Sequence, residues 1–199
     1  MKQILFGLIV IGSLCVGRSW AQQPTASNGL RNSGVLLVQN FSDHNPKIGG
    51  TYKDSKGSSV QYMIHRVKST NYLLVKYNLK NGGYCGFWYR AGSDWDGQNW
   101  TKAKAISFDI RTLKPLIIQI NFDDVNNQNY VANTSTIPPS HKWQVVSIPM
   151  SAFGLNPYYQ PANAEKGKPE DLSLIKTFTV APQTPGHHWF EITNIVLKK

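Results

Sequence analysis

The sequence predicts an all-β sandwich with few or no helices, on three observations. Runs rich in Val, Ile, Phe, Tyr and Trp recur at short intervals from Val35 onward, many with apolar residues at every second position. Clusters of Gly, Pro and Asn separate them, as turns require. No apolar stripe with i, i+3, i+4, i+7 spacing outlasts a single turn, so helices have little to pack with.

Taken in order, the chain opens with Lys2, an apolar run from Ile4 to Val16, and Ser19-Trp20-Ala21. This has the form of an export signal (residues 1–21) cleaved near Ala21, which predicts a secreted or periplasmic protein. The run is too short to span a bilayer, which takes about 20 residues. Lipidation at Cys15 is disfavoured by Leu14, because that processing site wants a small residue there. Residues 22–33 are small, polar and aperiodic and are expected to form a flexible leader. Residues 34–199 then form one β-sandwich domain, expected to be a monomer.

Val35-Leu36-Leu37-Val38 begins the first strand, with Phe41 as its core anchor. Gly49-Gly50 and Lys53 to Ser59 read as loop, which puts Tyr52 on an early loop. Further strands are expected at 60–67, 71–79, 84–90, 105–111, 115–122, 129–134, 143–149, 174–180 and 189–197. Period-two alternation sorts their faces. Cys85, Phe87 and Tyr89 form one set and Tyr84, Trp88 and Arg90 the other. Ile106, Phe108 and Ile110 oppose Ser107, Asp109 and Arg111. Leu116, Ile118 and Ile120 point inward, leaving Ile117, Gln119 and Asn121 outside. Phe41, Phe87, Phe108, Trp143, Phe153, Phe178 and Phe190 are assigned to the core. Residues 154–171, with Tyr158-Tyr159, make a long loop, and on a rigid scaffold such loops tend to carry function.

After signal cleavage only Cys85 remains, which excludes an internal disulfide. Its apolar neighbours Gly86 and Phe87 suit a buried thiol better than a nucleophile. The formal net charge of +10 comes from scattered lysines and arginines. Scattered cations solvate a surface; they give no nucleic-acid stripe but leave attraction to an acidic polysaccharide open. No nucleophile elbow, phosphate loop or zinc spacing occurs, and His187-His188 has no third ligand at metal spacing. Asp94-Trp95-Asp96-Gly97 lacks the sixth-position Gly and distal Glu of a calcium hand. Asp123-Asp124 reads as a turn cap. Catalysis is therefore not expected. A glycosidase would need two carboxyls roughly 5–10 Å apart, for which Asp109 and Asp123 are the candidates. Asn40, Asn99 and Asn133 begin glycosylation-type triplets.

The order of the motifs resembles the galactose-binding-like jelly rolls, and among them the family 11 carbohydrate-binding modules. The resemblance runs from about Val35 to Leu197. It rests on Val38-Gln39-Asn40-Phe41 with Gly49-Gly50, Leu73 to Leu79, Gly83 to Trp88, Asp94 to Gly97 and Ile106 to Arg111. Trp143-Gln144-Val145-Val146-Ser147-Ile148-Pro149 running on to Phe153, and the closing Phe190 to Leu197, complete it. Intracellular assembly-factor domains share this fold, which gives the alternative of a protein-interaction role. The resemblance implies a non-catalytic accessory to glucan or cellulose breakdown, binding polysaccharide on a concave sheet face. Neutral β-glucan is favoured as ligand and anionic polysaccharide is the alternative. It requires no cofactor, although relatives hold a structural calcium, toward which Asp43 and Glu191 are the available residues; Ser42, Thr193 and Asn194 stand where acids are usual.

The chemistry agrees. Pyranose rings present apolar C–H faces that stack on Tyr and Trp, and a hydroxyl rim that amides and guanidinium groups satisfy. The alternation places Trp88, Arg90, Gln119, Asn121 and Tyr130 for this, with Tyr52, Tyr158 and Tyr159 at the rims.

Overall fold

The computed structural model describes residues 35–39, 41, 48–67, 70–90, 98–175 and 177–199. The export signal, the leader, Asp43 and the Asp94-Trp95-Asp96-Gly97 motif lie outside the described residues, as does the side chain of Arg90. Among the described residues twelve strands run in order: β1 (Val35–Gln39), β2 (Ile48–Lys53), β3 (Ser59–Val67), β4 (Thr70–Leu79), β5 (Cys85–Arg90) and β6 (Ala105–Thr112). They continue as β7 (Ile118–Asp123), β8 (Asn129–Asn133), β9 (Ser140–Pro149), β10 (Gly154–Leu155), β11 (Thr177–Pro182) and β12 (Gly186–Lys198). Among the described residues the one helical element is a 3-10 turn at Met150–Ala152.

The strands form two antiparallel sheets. The first has the order β3-β4-β12-β6-β9, with β1 also pairing β12; the second has the order β10-β8-β7-β11-β5-β2. Few neighbours within a sheet are consecutive in sequence, so most connections cross from one sheet to the other, as in jelly rolls. β12 holds the first sheet together: its first half pairs β4 and its second half pairs β6 and β1. A bulge between Thr193 and Val196 separates these halves. Asn194 takes a left-handed φ of 48° there and donates to Asp109 Oδ2 at 2.7 Å. Asparagine tolerates that conformation better than most residues.

The core lies between the sheets and is aromatic. Tyr89 and Phe178, cross-strand partners on β5 and β11, stack with centroids 4.6 Å apart. Trp100, wholly buried, meets Phe122 edge-on at 5.3 Å. Burying an indole completely contributes up to about 4–6 kcal/mol from area alone. Phe41, Phe87, Phe108, Phe178 and Phe190 are buried as the alternation requires, and half-buried Phe153 packs on Phe122.

Four expectations are corrected. Gly49-Gly50 and Lys53, assigned to loop, belong to β2, so Tyr52 sits on a strand. Trp143 is outside the sandwich: its β9 neighbour Val145 pairs Asp109 on the outer face, and Trp143 shares that face with Arg111 and Tyr72. Tyr130 pairs Phe122 and stacks on it at 5.6 Å, 6 % exposed, so it belongs to the core. Asp109 and Asp123 lie on the outer faces of different sheets, so they cannot flank one glycosidic bond. In contrast, Asp124 does secure a turn, accepting from the N–H groups of Gln128 and Asp171.

Candidate functional site

The outer face of the second sheet gathers most of the residues expected to bind. Cross-strand register draws one row over all six strands: Gly50, Trp88, Thr179, Asn121, Val131 and Gly154. At the usual strand spacing this row is about 24 Å long, enough for an oligosaccharide rather than a single sugar. On one side runs Arg90, Thr177, Asp123 and Asn129, and on the other Ala181, Gln119 and Asn133.

The aromatic end is built over β2 and β5. Trp88 is half-buried and lies across the backbone of Gly49-Gly50; a Cβ at Gly50 would sit 3.4 Å from its Nε1, and one at Gly49 would run into the ring. The bulge between Ile48 and Gly50 puts these two glycines under the indole. Tyr52 pairs Gly86, whose missing side chain leaves room for the phenol. Burial pushes the Tyr52 hydroxyl up to about 12, so it is a neutral phenol at any physiological pH. Tyr84 follows at 6.3 Å from Tyr52 and is 57 % exposed. Tyr52 and Tyr84 thus contact each other, and Trp88 lies on the same face over β2, so three aromatic side chains gather at one end of the sheet.

Asp54 fixes the turn that carries Tyr84. Its carboxylate accepts from the Ser58 hydroxyl (2.6 Å) and from the N–H groups of Tyr84 (2.7 Å), Lys56 (2.7 Å) and Ser58 (3.2 Å). These bonds, the Ser58 hydroxyl foremost, lower its pKa to about 2.

The middle of the face is polar. Gln119 donates from Nε2 to Asn121 Oδ1 at 2.8 Å, and Asn129 donates from Nδ2 to Asp123 Oδ1 at 2.8 Å. Such amide pairs hold planar donors and acceptors in fixed directions, which suits recognition of hydroxyls. Burial raises the pKa of Asp123, with a smaller push from Asp124. At the β8–β10 edge stands the long loop. Gln160 anchors it by accepting from Asn129 N–H and donating to the carbonyls of Asn129 and Asn156, each within 3.0 Å. Tyr158 and Tyr159 project from it, 96 % and 59 % exposed.

The face therefore unites Trp88, Tyr52, Gln119 and Asn121, has Tyr158 and Tyr159 at its edge, and excludes Tyr130. Arg90 occupies the outer row by register. Tyr84, Asp123, Asn129 and Gln160 join the face although they were not named as binding residues. The alternation that groups Tyr84 with Trp88 was the available signal for the first; the others depend on pairing between distant strands. Glu191, considered for calcium, is engaged by the Arg111 guanidinium. No group of three or more His, Cys, Asp or Glu side chains among the described residues is placed to hold a metal.

The model of the carbohydrate-binding domain family 11 matches residues 24–197, nearly the whole sequence. The chain belongs to that family. The module is similar to the family 11 module from Clostridium thermocellum solved in complex with a β-1,3-1,4-mixed-linked tetrasaccharide, at 26 % identity and a TM-score of 0.66. That match covers 83 % of this chain and 95 % of the other. The family 11 module of the cellulosomal cellulase Lic26A-Cel5E of the same organism matches at 26 % identity and a TM-score of 0.65, covering 83 % and 94 %. A family 30 carbohydrate-binding module shares the fold alone, at 12 % identity and a TM-score of 0.57 over 81 % of this chain and 98 % of the other. A search of curated proteins returned no match.

Proposed function

We propose that this module binds a neutral β-glucan chain across the outer face of the second sheet. In that role it is an exported, monomeric, non-catalytic accessory that keeps polysaccharide near a separate hydrolase. One observation carries the reading: the Tyr52–Tyr84 pair and Trp88 share one end of an outer face on which Gln119 holds Asn121, on the fold of a relative solved with a mixed-linkage tetrasaccharide. Sugar rings stack on these aromatics through their C–H faces, while Gln119 and Asn121 meet the hydroxyls; Asn129, buried and bonded to Asp123 and Asn156, holds the long loop to the face. The exposed tyrosines of the long loop close the far end. Such binding needs no cofactor and, being largely uncharged, responds little to salt.

The test is affinity electrophoresis of the protein through gels containing mixed-linkage β-glucan, with Trp88→Ala and Tyr84→Ala alongside. Retardation of the wild type that each substitution weakens supports the reading. Free migration of the wild type in every neutral-glucan gel sinks it and moves a protein-interaction role to the front.

A further inference from the structure

The outer face of the first sheet carries a second aromatic and polar surface on the opposite side of the sandwich. Register places Gln61, Lys76 and Trp189 in one row across β3, β4 and β12, and Ser59, Asn78 and His187 in the next. These six residues line an open groove of about 480 Å³. Trp189 also borders a second depression of about 270 Å³, which it shares with Arg111, His141 and Glu191. One half-buried indole thus stands between two hollows.

The one charged side chain lining the first groove is a cation. Lys76 is exposed and makes no ion pair or hydrogen bond among the described residues. The one carboxylate bordering the hollows, Glu191, is neutralised by Arg111. Arg111 is itself held over the rings of Trp143 (4.8 Å) and Tyr72 (5.4 Å), so it stays with them. Asp109 on β6 is a second carboxylate and accepts from Asn194, but it pairs Thr193, four residues along β12 from Trp189, and borders neither hollow. An aromatic platform, amides, a hydroxyl and an uncompensated cation match a sugar ring bearing a carboxylate.

We propose that this face is a second saccharide site, separate from the glucan face, and that its ligand is an acidic polysaccharide. Trp189 stacks on a pyranose ring, Gln61, Asn78 and Ser59 take its hydroxyls, and Lys76 pairs with the carboxylate. The site stands whether or not the other face binds glucan. A module with both would tether two different polymers.

Affinity electrophoresis through polygalacturonate and alginate gels, with a mixed-linkage β-glucan gel beside them, tests this. Retardation of the wild type in an acidic gel is expected. Trp189→Ala should weaken it about tenfold, as loss of a stacking ring does. Lys76→Gln should weaken it about two- to fivefold, and added salt should weaken it further. Lys102→Gln removes the same charge near the C-terminal end of β12, where Lys104 N–H bonds Lys198, about 30 Å along the strand from Trp189, and should change little. Tyr84→Ala should leave the acidic gels unaffected. Absence of retardation in both acidic gels overturns the proposal. So does equal weakening by Lys76→Gln and Lys102→Gln, which marks diffuse attraction of a basic protein, and so does a folded Trp189→Ala protein that migrates like wild type.

Discussion

Replacing Gly86 by alanine isolates the contribution of Tyr52 without touching any side chain of the site. A Cβ at position 86 would lie 2.6 Å from Tyr52 Oη, 2.8 Å from Tyr52 Cζ and 2.7 Å from the Val180 carbonyl oxygen. Ordinary contact begins near 3.5 Å, so the phenol must retreat by about 1 Å. The Val180 carbonyl belongs to the sheet backbone and cannot yield as easily. Forced contacts of this kind cost about 1–3 kcal/mol of stability. A displaced ring loses its stacking, worth about 0.5–1.5 kcal/mol, so affinity for glucan should fall about two- to tenfold. Calorimetric titration with a mixed-linkage tetrasaccharide gives the affinity, and urea unfolding gives the stability. Tyr52→Ala and the double variant complete the cycle. With Tyr52 already removed, Gly86→Ala should lower affinity no further, yet should still destabilise through Val180. Wild-type affinity in a folded Gly86→Ala protein, or affinity losses that simply add, would refute the assignment of Tyr52 to the site.

Four other outcomes follow from the same geometry. Asp54 has a depressed pKa, so its contribution to stability is complete above the ordinary value of 3.8 and is lost as pH falls toward about 2. Asp54→Asn should flatten that part of the stability–pH curve in urea titrations and weaken glucan binding by loosening the Tyr84 turn. Gln160→Ala removes the bonds fastening the long loop to β8; hydrogen exchange at residues 156–160 should accelerate while the β7 amides stay protected. Glu191→Gln should destabilise by about 1.5–3 kcal/mol, the worth of a charged hydrogen bond, measured by urea unfolding, and calcium should not restore the loss. Burial raises the Cys85 thiol to about 11, so a thiol reagent should label it in the native protein only as fast as the fold opens.

The inner faces were legible because period-two alternation depends on nothing beyond one strand. Cys85, Phe87 and Tyr89, or Ile118 and Ile120, declare their side without reference to partners. β2 was hidden because Gly49-Gly50, which reads as loop, serves there as the bare backbone on which Trp88 lies. Trp143 misled because an indole just ahead of the run Val145-Val146-Ser147-Ile148 looks like core; its outward place depends on Arg111 and Tyr72 from two other strands. Tyr130 was misplaced by one residue of register, enough to change faces, and the core stacking with Phe122 decided it. The amide row illustrates the general limit. Gln119 and Asn121 were visible on one strand, but their alignment with Trp88 required β11 to insert between β7 and β5, a pairing that no local pattern encodes.

Backbone and indole NMR shifts during titration with a mixed-linkage tetrasaccharide test the central assignment most directly. The account predicts shifts gathered on Tyr52, Tyr84, the Trp88 Nε1–H, Gln119, Asn121 and Asn129, with Trp189 and Lys76 unmoved. Shifts confined to the face around Trp189, or none at concentrations that saturate the family 11 relative, would contradict it.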